Sequence, residues 1–161
     1  MWKLLMWTMV CWPAVTQAEA YFAQVTRVSD GDTVWVRPEG GEALRKLRLQ
    51  GLDAPEICQD GGVAARDALL AMVTGVRVGV SVKYQDDYGR GLARITVKGE
   101  DVGARLVAAG HAWSGRWQRS LGPYAAQEAQ ARAQGLGLFA QPQPELPRDF
   151  RKRVGSCYPT H

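Results

Sequence analysis

Four short segments of the sequence combine carboxylates, arginines and glycines at positions where strands are expected to end. These segments are residues 30–33, 47–49, 52–56 and 87–91. Aspartate oxygens and a backbone carbonyl suit a hard cation such as Ca²⁺, and a guanidinium binds phosphate through two parallel hydrogen bonds. A remaining glutamate can polarise a water molecule. Such a set supplies charge neutralisation, orientation and a general base, which metal-assisted hydrolysis of a phosphodiester requires.

Each segment also has a purely structural interpretation. An Asp-Gly-Asp sequence between strands is typical of a turn. Residues 53–56 can simply end a strand and cap the next segment, and residues 88–91 resemble a hairpin turn whose arginine is solvated. Each segment alone leaves both interpretations open, but the order of the four on successive strands favours chemistry.

Alternating hydrophobic residues predict the strands that position these segments. Five strands are expected, at residues 21–29, 33–38, 44–52, 76–84 and 92–97. The fourth is the clearest, because valine occupies every second position from Val76 to Val82. In the third strand Leu47 and Leu49 alternate with Arg48, so Arg48 points away from the leucines.

Three helices are expected beside the strands. The first spans residues 63–73, the second runs from an Asp101 cap to Gly110, and the third runs from Pro123 to Gly135. This order predicts an α+β fold, a five-stranded antiparallel barrel of the oligonucleotide/oligosaccharide-binding (OB) type with three helices. Such barrels mostly bind ligands, so the architecture alone does not predict an enzyme.

Composition limits the chain to one ordinary domain. Its 161 residues are 46% hydrophobic and 22% charged, which excludes collagen-like, coiled-coil and wholly disordered proteins. The net charge of +4 favours an anionic partner such as nucleic acid or anionic lipid. We expect the barrel domain at residues 21–140 and, at residues 141–161, an extended proline-rich arm. The arm carries a basic cluster, Arg148, Arg151, Lys152 and Arg153. This cluster can be a solvated face or a second phosphate contact.

The first twenty residues have the pattern of a secretory signal peptide. Lys3 precedes an apolar stretch at residues 4–15, and Ala-Glu-Ala at 18–20 is typical of cleavage after Ala20. The alternative is a membrane anchor, but the stretch is shorter than the roughly 20 residues that a spanning helix needs. Lipoprotein processing at Cys11 is disfavoured by the bulky Val10 before it. We expect a periplasmic or secreted protein without stable membrane association.

Two cysteines remain when Cys11 is removed with the signal peptide. They are Cys58, two residues beyond Glu56, and Cys157 in the arm. Two cysteines in an oxidising compartment usually pair, so we expect a disulfide between them. The alternative is two free thiols, one buried and one in a frayed tail.

The four motifs resemble those of the staphylococcal nuclease family. The resemblance covers about residues 21–140 and depends on residues 30–34, 48–49, 52–56 and 88–93. It implies three Ca²⁺ ligands, which are Asp32, Asp53 and the carbonyl oxygen of Ala54. It also implies that Glu56 activates water and that phosphate is bound by two arginines, Arg48 and Arg90.

The resemblance further implies that the substrates are DNA and RNA, cleaved to leave 3′-phosphate ends. We expect a monomer. Where the best-known member has tyrosines that stack on a base, this sequence has Trp113, Arg116 and Trp117, which we expect to bind substrate. For the tryptophans, packing against the barrel is the alternative to base stacking.

The main alternative to an enzyme is a non-catalytic barrel that binds single-stranded nucleic acid or oligosaccharide. An envelope-associated interaction protein that uses the basic arm is a third possibility, but it explains none of the motifs. A binding module has no need for the complete charged set, Asp32, Arg48, Asp53, Glu56 and Arg90.

Overall fold

The computed structural model describes residues 19–41 and 43–158, whose strands close into a small barrel. The strands are β1 (Glu19–Asp30), β2 (Thr33–Pro38), β3 (Arg45–Leu49), β4 (Leu52–Asp53), β5 (Arg77–Gln85), β6 (Gly91–Val97), β7 (Glu100–Asp101) and β8 (Trp113–Ser114). Neighbours in the order β3-β2-β1-β5-β6-β7 pair antiparallel. A parallel pairing of β3 with β6 closes the barrel. The predicted OB-type barrel is confirmed, and its closing pair is the exception to the antiparallel arrangement.

The barrel core is built from residues that alternate along its strands. Leu47 and Leu49 of β3 are 2% exposed, and Arg48 between them lies on the opposite face. Helix α1 covers one part of this core with Leu69 and Val73, which are fully buried. The alternation therefore holds Arg48 outward at a fixed point of a packed strand.

Within the described residues, four helices accompany the barrel. They are α1 (Gly62–Val73), α2 (Val102–Ala108), α3 (Ala125–Ala133) and α4 (Pro147–Val154), with a 3₁₀ turn at Gly137–Ala140. The three predicted helices are present. As expected, Asp101 caps α2, because its Oδ1 accepts a hydrogen bond from the backbone N–H of Ala104 at 3.1 Å.

Two of the predicted elements need correction. The arm was expected to be extended, but it contains α4, which begins at Pro147. Proline is tolerated in the first turn of a helix, where its missing N–H leaves no hydrogen bond unmade. The third strand was expected to span residues 44–52, but Gly51 adopts a left-handed φ of 83° in the turn that separates β3 from β4.

The predicted signal peptide lies almost wholly outside the described residues. Glu19 and Ala20 alone belong to them, and they extend β1 by pairing with Val82 and Ser81 of β5. In the part of the chain that the structure describes, no helix has the length and apolar character to cross a membrane.

Candidate active site

Three of the predicted site residues lie together at one end of the barrel. Asp32 stands in the turn between β1 and β2, Arg48 is near the end of β3, and Asp53 is the last residue of β4. The strand register places Thr33 opposite Arg48, and the backbone N–H of Leu49 donates to the carbonyl oxygen of Asp32 at 2.7 Å. Pairing of β2 with β3 thus sets the aspartate beside the arginine.

Arg48 joins two carboxylates. Its Nη1 donates to Oδ1 of Asp32 at 3.0 Å, and its Nη2 lies 2.7 Å from Oδ2 of the same residue. Nη2 also donates to Oδ1 of Asp53 at 3.2 Å. The side chain of Arg48 is 22% exposed and that of Asp32 is 4% exposed. The arginine therefore reaches solvent while the aspartate does not.

Asp32 is a buried carboxyl group whose charge depends on its neighbours. Burial raises the pKa of Asp32 to about 7, although Arg48 opposes this change, and the nearby Asp30 and Asp53 raise the pKa further. Oδ1 of Asp32 also accepts a hydrogen bond from Thr33 Oγ1 at 2.9 Å. Additional positive charge beside this carboxyl would favour its ionised form.

The oxygen donors at this end of the barrel fit a hard cation such as Ca²⁺. Asp32 and Asp53 each place an oxygen within 3.2 Å of the same nitrogen of Arg48, so both already face one cationic group. Ala54, whose carbonyl is the third predicted ligand, is 4% exposed. Among residues 19–41 and 43–158, no three His, Cys, Asp or Glu side chains form a metal-binding group. Backbone carbonyls and water would complete the shell.

The segment that carries Glu56 is packed closely against the start of α1. The backbone N–H of Glu56 donates to Gln59 Oε1 at 3.1 Å, and the N–H of Gln59 donates to the carbonyl oxygen of Glu56 at 2.8 Å. A Cβ at Gly62 would collide with that same carbonyl oxygen. Only glycine permits this approach, which fixes the backbone of Glu56 beside the helix.

The carboxylate of Glu56 has a partner that sequence analysis missed. Nη1 of Arg151, on α4, donates to Oε1 of Glu56 at 2.7 Å and lies 3.5 Å from Oδ1 of Asp53. The sequence shows a basic cluster in the arm, but no local pattern identifies a partner 95 residues away. The cluster, interpreted as a solvated face or a phosphate contact, thus includes a residue of the site.

Arg90, the other predicted phosphate ligand, pairs with Asp86. Its Nε donates to Oδ2 of Asp86 at 2.7 Å, and its backbone N–H donates to Oδ1 at 2.9 Å. Burial tends to raise the pKa of Asp86, but hydrogen bonds from Arg90 and from the N–H of Tyr88 outweigh it and lower the pKa. Gly91, the next residue, pairs with Leu47 of β3. Arg90 is therefore held at the strand end that adjoins the strand of Arg48.

Residues 46–141 match the model of a family described as staphylococcal nuclease homologue. The chain belongs to the staphylococcal nuclease family. The matched range includes five of the predicted metal-binding and catalytic residues, Arg48, Asp53, Ala54, Glu56 and Arg90. Arg151 lies beyond its end. The resemblance stated from the motifs is confirmed.

Curated relatives within this family carry nuclease names. A protein named uncharacterized endonuclease from Haemophilus influenzae is 32% identical over 131 residues, which cover 81% of this chain and 72% of that protein. Another of that name from Escherichia coli is 34% identical over 131 residues, which cover 81% and 84%. A staphylococcal-like nuclease of Arabidopsis thaliana is 36% identical over 107 residues, which cover 66% of this chain and 33% of the plant protein. The alignment thus covers most of each bacterial relative but about a third of the plant nuclease.

The predicted substrate-binding residues of this family member lie in three different environments. Trp113 is 2% exposed and packs edge-on against Phe139, with ring centroids 6.0 Å apart. This burial corrects its assignment, because an enclosed ring cannot stack on a base. Arg116 donates to Oε1 of the buried Glu128 at 2.6 Å. Trp117 is 76% exposed, so its ring is free to stack and its role stays a prediction.

The disulfide of this chain joins the Glu56 segment to the arm. Cys58 and Cys157 are bonded, with Cα atoms 5.6 Å apart and a sequence separation of 99. The hydroxyl of Tyr158 donates to the carbonyl oxygen of Ser29 at the end of β1, at 3.2 Å. The predicted pairing is confirmed, and the arm is anchored beside the site.

Proposed function

We propose that this protein is an exported, Ca²⁺-dependent nuclease that hydrolyses phosphodiester bonds of DNA and RNA. The proposal depends above all on the convergence of three acidic residues and one arginine at one end of the barrel, Asp32, Asp53, Glu56 and Arg48. Membership of a nuclease family and relatives named endonucleases support hydrolysis over simple binding.

The arginines are proposed to bind the phosphate. Arg48 reaches solvent, and its Nη atoms are held by Asp32 and Asp53. The guanidinium is therefore oriented before substrate arrives. Arg90 is oriented in the same way by Asp86. A guanidinium can bind two phosphate oxygens at once, and contacts that strengthen as negative charge develops lower the barrier.

Glu56 is proposed to orient the attacking water and take its proton. The water oxygen bonds to phosphorus, the bond from phosphorus to the 5′ oxygen breaks, and the leaving 5′ oxygen takes up a proton from solvent. The products are a 3′-phosphate and a 5′-hydroxyl. Asp32, Asp53 and the carbonyl of Ala54 would hold Ca²⁺, which neutralises charge on the phosphate.

Export is proposed from the N-terminal pattern and is supported by the disulfide. Disulfides persist in oxidising compartments such as the periplasm or the extracellular medium, and the structure pairs the two cysteines that would remain after cleavage. N-terminal sequencing of protein recovered from the periplasm or the extracellular medium should identify Tyr21 as the first residue. Recovery of the intact chain from the cytoplasm alone would contradict export.

A cleavage assay tests the catalytic proposal. Purified oxidised protein is incubated with single-stranded DNA, duplex DNA and RNA, in Ca²⁺ or in chelator. We expect cleavage in the samples with Ca²⁺ and none in those with chelator. Because the products should carry 5′-hydroxyl ends, polynucleotide kinase should label them without prior phosphatase treatment. Glu100→Gln is a matched control, because it removes an exposed carboxylate from β7 outside the site. Glu56→Gln should lose activity that this control keeps. Substrates that stay intact but bound would favour the non-catalytic alternative.

A further inference from the structure

The arm supplies a charged side chain to the site. Arg151 is the partner of the Glu56 carboxylate, with Nη1 and Oε1 2.7 Å apart. Among the described residues, no other side chain forms a hydrogen bond or ion pair with that carboxylate. The partner of the proposed base therefore lies outside the range that matches the family, because the match ends at residue 141.

Packing and hydrogen bonds hold α4 in the place that this contact needs. Phe150, which precedes Arg151, is 7% exposed. Arg153 donates two hydrogen bonds to the Glu145 carboxylate, at 3.0 and 2.6 Å. The carbonyl oxygen of Glu145 accepts from Gln59 Nε2 at 2.7 Å. Gln59 in turn binds the backbone of the Glu56 segment, so arm and segment are fixed to each other.

The disulfide restricts the same two parts covalently. Cys58 is two residues beyond Glu56, and Cys157 follows α4. The backbone N–H of Cys58 also lies 3.2 Å from the Cys157 sulfur. Arg151 therefore reaches Glu56 from an arm bonded to the Glu56 segment itself.

We propose that Arg151 is a positioning residue that holds one oxygen of Glu56, Oε1, so that the other faces the attacking water. The inference depends on the proposed function, in which Glu56 activates that water. The segment between β4 and α1 has no regular secondary structure to orient the side chain. A displacement of about 1 Å in a catalytic group can cost about 10² in rate, so a fixed carboxylate has a kinetic advantage.

Steady-state kinetics on DNA in saturating Ca²⁺ test the proposal with a double-mutant cycle. Arg151→Gln should lower kcat about 10- to 100-fold and leave KM within about twofold. In the Glu56→Gln background the Arg151→Gln change should alter kcat less than about twofold, because the carboxylate that Arg151 contacts is already lost. Arg151→Lys, which keeps the charge, should recover part of the rate. Arg148→Gln removes an equal charge from α4 without contact to Glu56 and should match the wild type.

Each other outcome identifies a different role. An increase in KM with unchanged kcat, in both backgrounds, would show that Arg151 binds substrate phosphate and would overturn the proposal. An increase in kcat would show that Arg151 restrains the enzyme, which also overturns it. If the wild type cleaves DNA and Arg151→Gln is fully active, the role of Arg151 is refuted and the proposed function is not. A wild type that cleaves nothing refutes the proposed function and, with it, this inference.

Thermal melts in Ca²⁺-free buffer provide a readout that needs no activity. Arg151→Gln and Glu56→Gln each remove the same ion pair, so their effects on Tm should be non-additive. Circular dichroism confirms that each variant is folded. Strictly additive effects on Tm would show that the two side chains do not interact, which would overturn the proposal.

Discussion

Reduction of the Cys58–Cys157 disulfide should lower the melting temperature substantially. The bond closes a loop of 99 residues, and the chain-entropy model assigns about 4.7 kcal/mol to a loop of about 100 residues. For a protein of this size, 1 kcal/mol shifts Tm by about 2–4 °C. The expected decrease is therefore about 10–20 °C, with the smaller value favoured if the arm separates while the barrel remains folded.

Differential scanning calorimetry of the oxidised and reduced protein measures this decrease. A thiol titration on the same samples must find two free thiols after reduction and none before it in the mature protein. The double variant Cys58→Ser/Cys157→Ser is the control. Its melting temperature should be close to that of the reduced protein and should not change when reductant is added. Equal melting temperatures, with reduction verified, would refute the assignment of stability to this bond.

Four shorter predictions concern the site and the residues around it. Glu56→Gln should reduce the rate constant of the cleavage step, measured in single-turnover assays, by about 10² to 10⁴. A smaller loss would argue against its role as base. The pKa of Asp86 lies below its ordinary value of 3.8, so its contribution to stability is complete above that pH and lost as pH falls through the folded-state value. Asp86→Asn should therefore weaken the pH dependence of Tm below about pH 4, and an unchanged acid transition would contradict the Arg90 pairing. Trp117→Ala should weaken binding of single-stranded DNA by about 1–3 kcal/mol in fluorescence anisotropy. Trp113→Ala should instead destabilise the fold by about 3–5 kcal/mol, which chemical denaturation measures.

Local patterns predicted most of the barrel because its strands and caps are local features. Alternate valines placed β5 within one residue of its observed start, and Asp101 was identified as the cap of α2. The motifs also predicted that Asp32, Arg48 and Asp53 belong together, and the structure brings them into hydrogen-bond contact. Each of these features depends on residue spacing that can be measured along the chain.

Long-range contacts and burial could not be predicted in this way. The pairing of Arg151 with Glu56 depends on how α4 docks, and α4 itself was missed because Pro147 was interpreted as a breaker of regular structure. The burial of Trp113 depends on its packing against Phe139 from the 3₁₀ turn. An aromatic residue near a site looks the same in sequence whether its ring is enclosed or exposed.

The distance in sequence between Glu56 and its partners implies an order of assembly during synthesis. The ribosome makes Arg151 95 residues after Glu56, which takes about 5–20 s at ordinary elongation rates. The strands that close the barrel, β1, β2, β3, β5 and β6, all end before Gly99, so the barrel can close before the arm docks. Until α4 docks, a closed barrel can hold Asp32, Asp53 and Arg48 together, but its proposed base has no arginine to orient it. The contact that orients the proposed base therefore forms after the barrel that carries the rest of the site.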